Sequence, residues 1–145
     1  MLALLLLLAA GPVEDVIARG GDLAGPPATS IAKEATEIAA YGFSEVPGDS
    51  RLQAALALAD ANARAELVKY ARVRVTDSLK SLSTESSEQI ETRTKEMAHG
   101  LLPVLALPRH GWRKLKRDGE VVLQVWSRIS IPQDRFDELL QGALK

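Results

Sequence analysis

Cysteine is absent from the 145 residues. Its absence rules out disulfides, thiolate zinc sites, cysteine nucleophiles and acylation at cysteine. Aromatic residues make up only 4%, so the core depends on close backbone approach more than on large side chains. No charge of one sign dominates: the formal net charge is -1, which gives no overall field favouring nucleic acid or an acidic membrane. Any electrostatic partner must be met by a local patch. Two histidines, His99 and His110, are the only ones. They are not spaced as metal ligands or as part of a nucleophile motif, and His99 is expected at a helix end, where a cation suits the dipole. Gly20-Gly21 lacks the strand, helix and lysine of a phosphate-binding loop. The Glu85, Glu88 and Glu91 series reads as a solvated helical face. No catalytic, cofactor-binding or metal-binding residue is expected, and an enzyme ranks behind the binding and structural readings.

The only long apolar run, residues 2–10, falls short of the about 20 residues needed to span a bilayer. It fits the apolar core of a secretory signal, although no basic segment precedes it. Residues 1–10 are therefore read as a hydrophobic leader, and the expected location is the periplasm or cell envelope. Residues 11–30, with Gly20, Gly21, Gly25, Pro26 and Pro27, have a linker composition. A short helical turn is expected at residues 14–19. One folded domain is expected over residues 31–145.

Within it, alternation through Ile38, Ala40 and Gly42 predicts a strand ending at Pro47-Gly48. Gly42 inside that strand marks either a bulge or a close backbone contact. Helical spacing of Leu52, Leu56, Ala59, Ala63 and Leu67 predicts a long helix. Its small residues Ala59 and Ala63 would let it lie close on a sheet, while Arg51, Asp60, Arg64 and Lys69 face water. Residues 72–75 can be read as helix or strand. The serine-rich stretch 78–87 reads as a loop or broken helix, and residues 88–100 as a second helix. Residues 101–107, broken by Pro103, read as an edge strand or extended lead-in. Asp118-Gly119 is a strong hairpin turn signal. On the second arm Val121, Leu123, Val125, Ile129 and Ile131 share one face, and Val122, Gln124, Trp126, Arg128 and Ser130 the other. A last helix follows Pro132, with Phe136, Leu139, Leu140 and Ala143 as its apolar stripe. The sum is an α+β domain: a small curved antiparallel sheet with helices on one face.

The densest constellation of side chains is Arg109, Trp112, Arg113, Lys114, Lys116 and Arg117 on the first hairpin arm. It is a candidate patch for an anionic envelope polymer or lipid surface; nucleic acid, which could stack on Trp112, is disfavoured by the leader. The competing reading is a strand edge whose cations prevent edge-to-edge pairing. The opposite edge, near residues 38–43 or 101–107, carries little charge and is expected to self-associate.

Ala40-Tyr41-Gly42 leading into an alanine-spaced helix forms a pattern together with Trp112 before the Val121-Val122-Leu123-Gln124-Val125-Trp126 arm. Over residues 38–133 the chain resembles the Lpp-twenty type lipoproteins, a family of bacterial outer-membrane lipoproteins with flagellar disk and ring relatives. The resemblance implies a dodecin-like fold, an envelope location, no catalytic signature and assembly into larger arrays. Gly11 follows Leu8-Ala9-Ala10, where the family's acylated cysteine would stand, so acylation there is impossible. The functions that follow are a non-enzymatic envelope structural or interaction protein that forms a homo-oligomer or joins an envelope assembly, or, as the alternative, a dodecin-like small-ligand carrier with a cleft between sheet and helix. On the export reading, the mature protein lacks residues 1 to about 10. Intact-mass measurement on protein from the native host should show that truncation, and a full-length cytoplasmic species would contradict it.

Overall fold

A computed structural model describes residues 14–80 and 86–145. The leader and Glu85 lie outside the described residues. Five strands form one antiparallel sheet: β1 (Glu14–Gly21), β2 (Ile31–Lys33), β3 (Glu37–Pro47), β4 (Arg109–Arg117) and β5 (Glu120–Pro132), in the spatial order β1-β4-β5-β3-β2. Three helices pack against it: α1 (Leu52–Lys80), α2 (Ser87–Leu101) and α3 (Gln133–Ala143). The sheet is open, and the expected α+β architecture is the one observed.

One strand lies where a linker was expected, and a second opens the expected domain. Glu14–Gly21 is not a helical turn but a strand paired along β4, and Ile31–Lys33 pairs with β3. The glycines that make this segment read as a linker serve the sheet. Gly20 stands opposite Trp112, and a Cβ at Gly20 would come within 2.8 Å of that indole ring. Gly21 takes a φ of +87° and turns the chain off the edge.

These additions move the edges. The arm Arg109–Arg117 is not an edge, because β1 and β5 flank it. Of residues 38–43, Ile38 to Tyr41 are covered by β2 and Ser30 and are not an edge, while Gly42 and Phe43 have no strand on that side. Residues 101–107 finish α2, make a single 3-10 turn at Leu102–Val104 and continue extended. The true edges are β1 on one side and, on the other, β2 together with the part of β3 beyond it.

The hairpin forms as its sequence predicts. Arg117 and Glu120 close it around Asp118 and Gly119, whose φ values of 51° and 84° are both positive. That is the backbone of a type I′ turn, whose twist matches the flanking strands. Residues 72–75 are helical. Ser86 and Gln89 form a reciprocal capping box that starts α2, which satisfies two backbone donors at once.

The core lies between the sheet and α1. Along α1 the buried residues are Ala55, Ala59, Ala63, Leu67, Ala71, Val75 and Leu79, each four after the last. At 3.6 residues per turn, a step of four advances about 40° around the helix. The buried stripe therefore winds around α1, and no single partner can cover it. Ala55 and Ala59 pack on Leu123 and Val125 of the sheet. From Ala63 onward the stripe shares a second cluster with Ile38, Ile129 and Ile131, with Met97 and Leu101 of α2 and with Phe136 and Leu140 of α3.

Gly42 sits where α1 crosses β3. A Cβ there would fall 2.0 Å from the Ala59 carbonyl oxygen and 2.4 Å from the Ala63 nitrogen. The β3–β5 register runs without interruption from Glu37↔Pro132 to Pro47↔Val122. Of the two sequence readings, Gly42 thus marks a close backbone contact and not a bulge. Gly42→Ala should destabilise by about 1–3 kcal/mol, the range for overpacking a core. By contrast, a Cβ at Gly142 meets nothing within 4 Å, and Gly142→Ala should stabilise by up to about 1 kcal/mol through helix propensity. Denaturant midpoints of the two variants check both signs.

Candidate functional site

Three polar arrangements carry the chemistry of this molecule. The first joins α1 to the sheet. One Asp60 carboxylate oxygen accepts the Ser127 hydroxyl and lies 2.7 Å from His110 Nε2. Asp60 was expected to face water. It turns instead toward the sheet, with its side chain 19% exposed, because the winding of the α1 stripe brings position 60 over β4 and β5. Beside it, the Asn62 side-chain amide donates to the Phe43 carbonyl at 3.0 Å.

Serine, histidine and aspartate together suggest nucleophilic catalysis, but the order here is wrong for it. In a working triad the histidine takes the serine proton and the carboxylate orients the histidine. Here aspartate stands between the other two, and Ser127 is fully buried. The arrangement anchors a helix to a sheet and pairs polar groups that would be costly to bury alone. Sequence reading missed it because residues 60, 110 and 127 are linked only by strand order.

The second arrangement occupies the helix-free face. Arg128 donates to Glu34, Glu37 and Tyr41. Burial opposes its charge, but these hydrogen bonds hold the guanidinium pKa above its ordinary value. The hydrogen bond from Arg128 holds the Glu37 carboxyl below its usual range. Farther along the same face, Arg113 Nε donates to Gln124 at 2.7 Å, and Gln124 donates to Glu45 at 2.8 Å. Arg117 completes the chain with ion pairs to Glu14 at 2.6 Å and Glu45 at 3.0 Å. The hydrogen bond to Glu14 raises the pKa of Arg117.

This network divides the basic arm. Pairing with β5 sets Arg109, Arg113 and Arg117 on the helix-free face, and Trp112, Lys114 and Lys116 on the helix side, since side chains alternate along a strand. One flat anionic surface cannot touch all six. Trp112 is largely engaged with the Leu123 and Val125 cluster under α1, and Arg117 is already neutralised. Of the remaining marked residues, Trp126 is 2% exposed on the helix-free face. It stands opposite Gly111, where a Cβ would meet its indole nitrogen at 2.2 Å. Ala59 and Ala63 lie against Gly42. His99 is exposed in the last turn of α2. Glu91 pairs with Arg72 across α1 and α2, and Glu88 is exposed.

The third arrangement is a groove of about 240 Å³ at the end of β1, bordered by Arg19, Gly20, Leu23, Trp112, Arg113 and Trp126. No cluster of residues among those described has the makings of a metal site. No described helix is long and apolar enough to cross a membrane. No protein-family model, curated protein or solved structure matches the chain.

The depressed Glu37 pKa fixes a sign. Its contribution to stability is present above the ordinary carboxyl value of 4.5 and is lost as pH falls through the lower folded-state value. Thermal melts from pH 6 downward should therefore show the wild type losing stability below about pH 4.5 more steeply than Glu37→Gln. Parallel curves for the two proteins would remove the Arg128–Glu37 contact as the cause.

Proposed function

We propose that this chain is a non-enzymatic structural or interaction subunit of a cell-envelope assembly, and that it joins copies of itself through the free edge of β1. The carrying observation is the state of that edge. β1 is eight residues long and hydrogen-bonded to β4 on one side only. Val16 is 48% and Ile17 57% exposed on it. A long edge strand with exposed β-branched residues is a template for another strand. The opposite edge is poorer: β2 has three residues with Lys33 exposed, and on the part of β3 beyond it the Phe43 carbonyl is taken by Asn62 and Pro47 has no N–H to offer. The register to β4 slips between Val16 and Ala18, which leaves Ile17 unpaired. An extra residue of this kind re-aims a side chain away from the ladder and offers Ile17 to a neighbour.

The envelope part of the reading is supported by the apolar leader and by the resemblance to the Lpp-twenty type lipoproteins, whose relatives form disks and rings. Closed symmetric assemblies are the usual outcome when one surface meets a copy of itself. Light scattering over a wide concentration range should reveal a defined oligomer that Ile17→Lys converts to a folded monomer with unchanged melting temperature. A wild type that stays monomeric throughout, or an oligomer indifferent to Ile17→Lys, would contradict this mode of assembly.

A further inference from the structure

The groove at the end of β1 combines two features that a sheet ordinarily avoids. Arg19 and Arg113 stand directly opposite each other on β1 and β4, and like charges placed so are destabilising. Two other arginines of the helix-free face have carboxylates: Arg117 has Glu14 and Glu45, and Arg128 has Glu34 and Glu37. Arg113 has only the neutral Gln124 as acceptor, and Arg19 has no hydrogen-bond or ion-pair partner among the described residues. Beside them, the Trp126 indole N–H is buried with no acceptor. Buried polar groups are nearly always paired, so the positive end of this dipole is uncompensated on the face that carries both arginines.

The rest of the wall is apolar and aromatic. On the helix-free face Trp126 borders the groove with Val16 and Leu23, the Trp112 ring lies across the sheet under α1, and Asp22 is the only acid along the groove. At about 240 Å³ the space is below the roughly 300–1,000 Å³ of sites for drug-sized ligands, so it suits one ring and not a nucleotide or polymer. Guanidinium groups match a carboxylate in planar, forked geometry, and indole faces take an aromatic ring by offset or edge contact.

We propose that this groove is a binding site for a single-ring aromatic carboxylate, its charge held between Arg19 and Arg113 and its ring against Val16, Leu23 and the edge of Trp126. The bound anion relieves the repulsion of the two arginines and offsets the unpaired indole dipole. The full chain, in phosphate-free buffer, is titrated with sodium benzoate, with benzyl alcohol as the same ring without charge and with acetate as the charge without a ring. Indole N–H signals in proton–nitrogen NMR and the melting temperature are the readouts.

Benzoate should shift an indole signal saturably and raise the melting temperature, as any ligand of the native state does. Acetate and benzyl alcohol should bind at least about tenfold more weakly. Arg19→Gln removes an exposed, unpaired cation, so its melting temperature without ligand should be equal or higher, while benzoate binding falls by about tenfold or more. No saturable response to benzoate, equal binding of acetate or benzyl alcohol, or an undiminished response in Arg19→Gln would each overturn the proposal.

Discussion

The contact between the α1 backbone and Gly42 sets the rest of the structure. A helix can approach a strand this closely only where neither carries side chains beyond a methyl group at the crossing. Ala59, Ala63 and Gly42 meet that condition together, with both alanines fully buried. A large side chain at the crossing would lift the helix off the sheet. With α1 fixed there, Asp60 comes within reach of Ser127 and His110, and Asn62 within reach of the Phe43 carbonyl. The winding of the stripe then turns Val75 and Leu79 toward α2 and α3, so one crossing point orients all three helices.

On the sheet itself, glycine solves a different problem. Both tryptophans stand directly across from a glycine of the neighbouring strand: Trp112 from Gly20 and Trp126 from Gly111. Each large ring occupies the space over a missing side chain. Trp126 is thereby buried on a face that has no helix, with the Leu23 carbonyl also lying against Gly111. Arginine–glutamate contacts lie on the same face around it. The two faces of the sheet are thus held by different physics: small-residue packing beneath the helices, and charge-assisted hydrogen bonds on the other side.

Much of this was legible in local pattern. The alternation of β3 and β5, the Asp118-Gly119 turn and the apolar stripes of α1, α2 and α3 are short-range signals, and each element formed where the periodicity put it. Gly42 was legible as a special position, though only the structure chooses contact over bulge. β1 was not legible, because its glycines imitate a linker and its strand character comes from partners about a hundred residues away, Leu115 opposite Val16 among them, and β2, with three residues, is too short to show an alternation. The edges were misplaced for the same reason, since strand order is a long-range property. The basic arm was visible as composition, but its division between two faces, the neutralisation of Arg117 by Glu14 and Glu45 and the hydrogen bond of Arg113 to Gln124 depend on that strand order. Asp60 was misread because a four-residue spacing looks like one fixed face until its rotation is followed over the full length of the helix.

The most direct test of the account is the distance between α1 and β3 at the crossing, read by nuclear Overhauser effects in the isotopically labelled full chain. Direct backbone contact predicts strong cross-peaks from the Gly42 α-protons to the Ala63 amide proton, together with slow amide exchange at Ala63. Their absence, with Gly42 showing contacts only to its strand neighbours, would mean that the helix does not rest on the sheet at this point and would contradict the account.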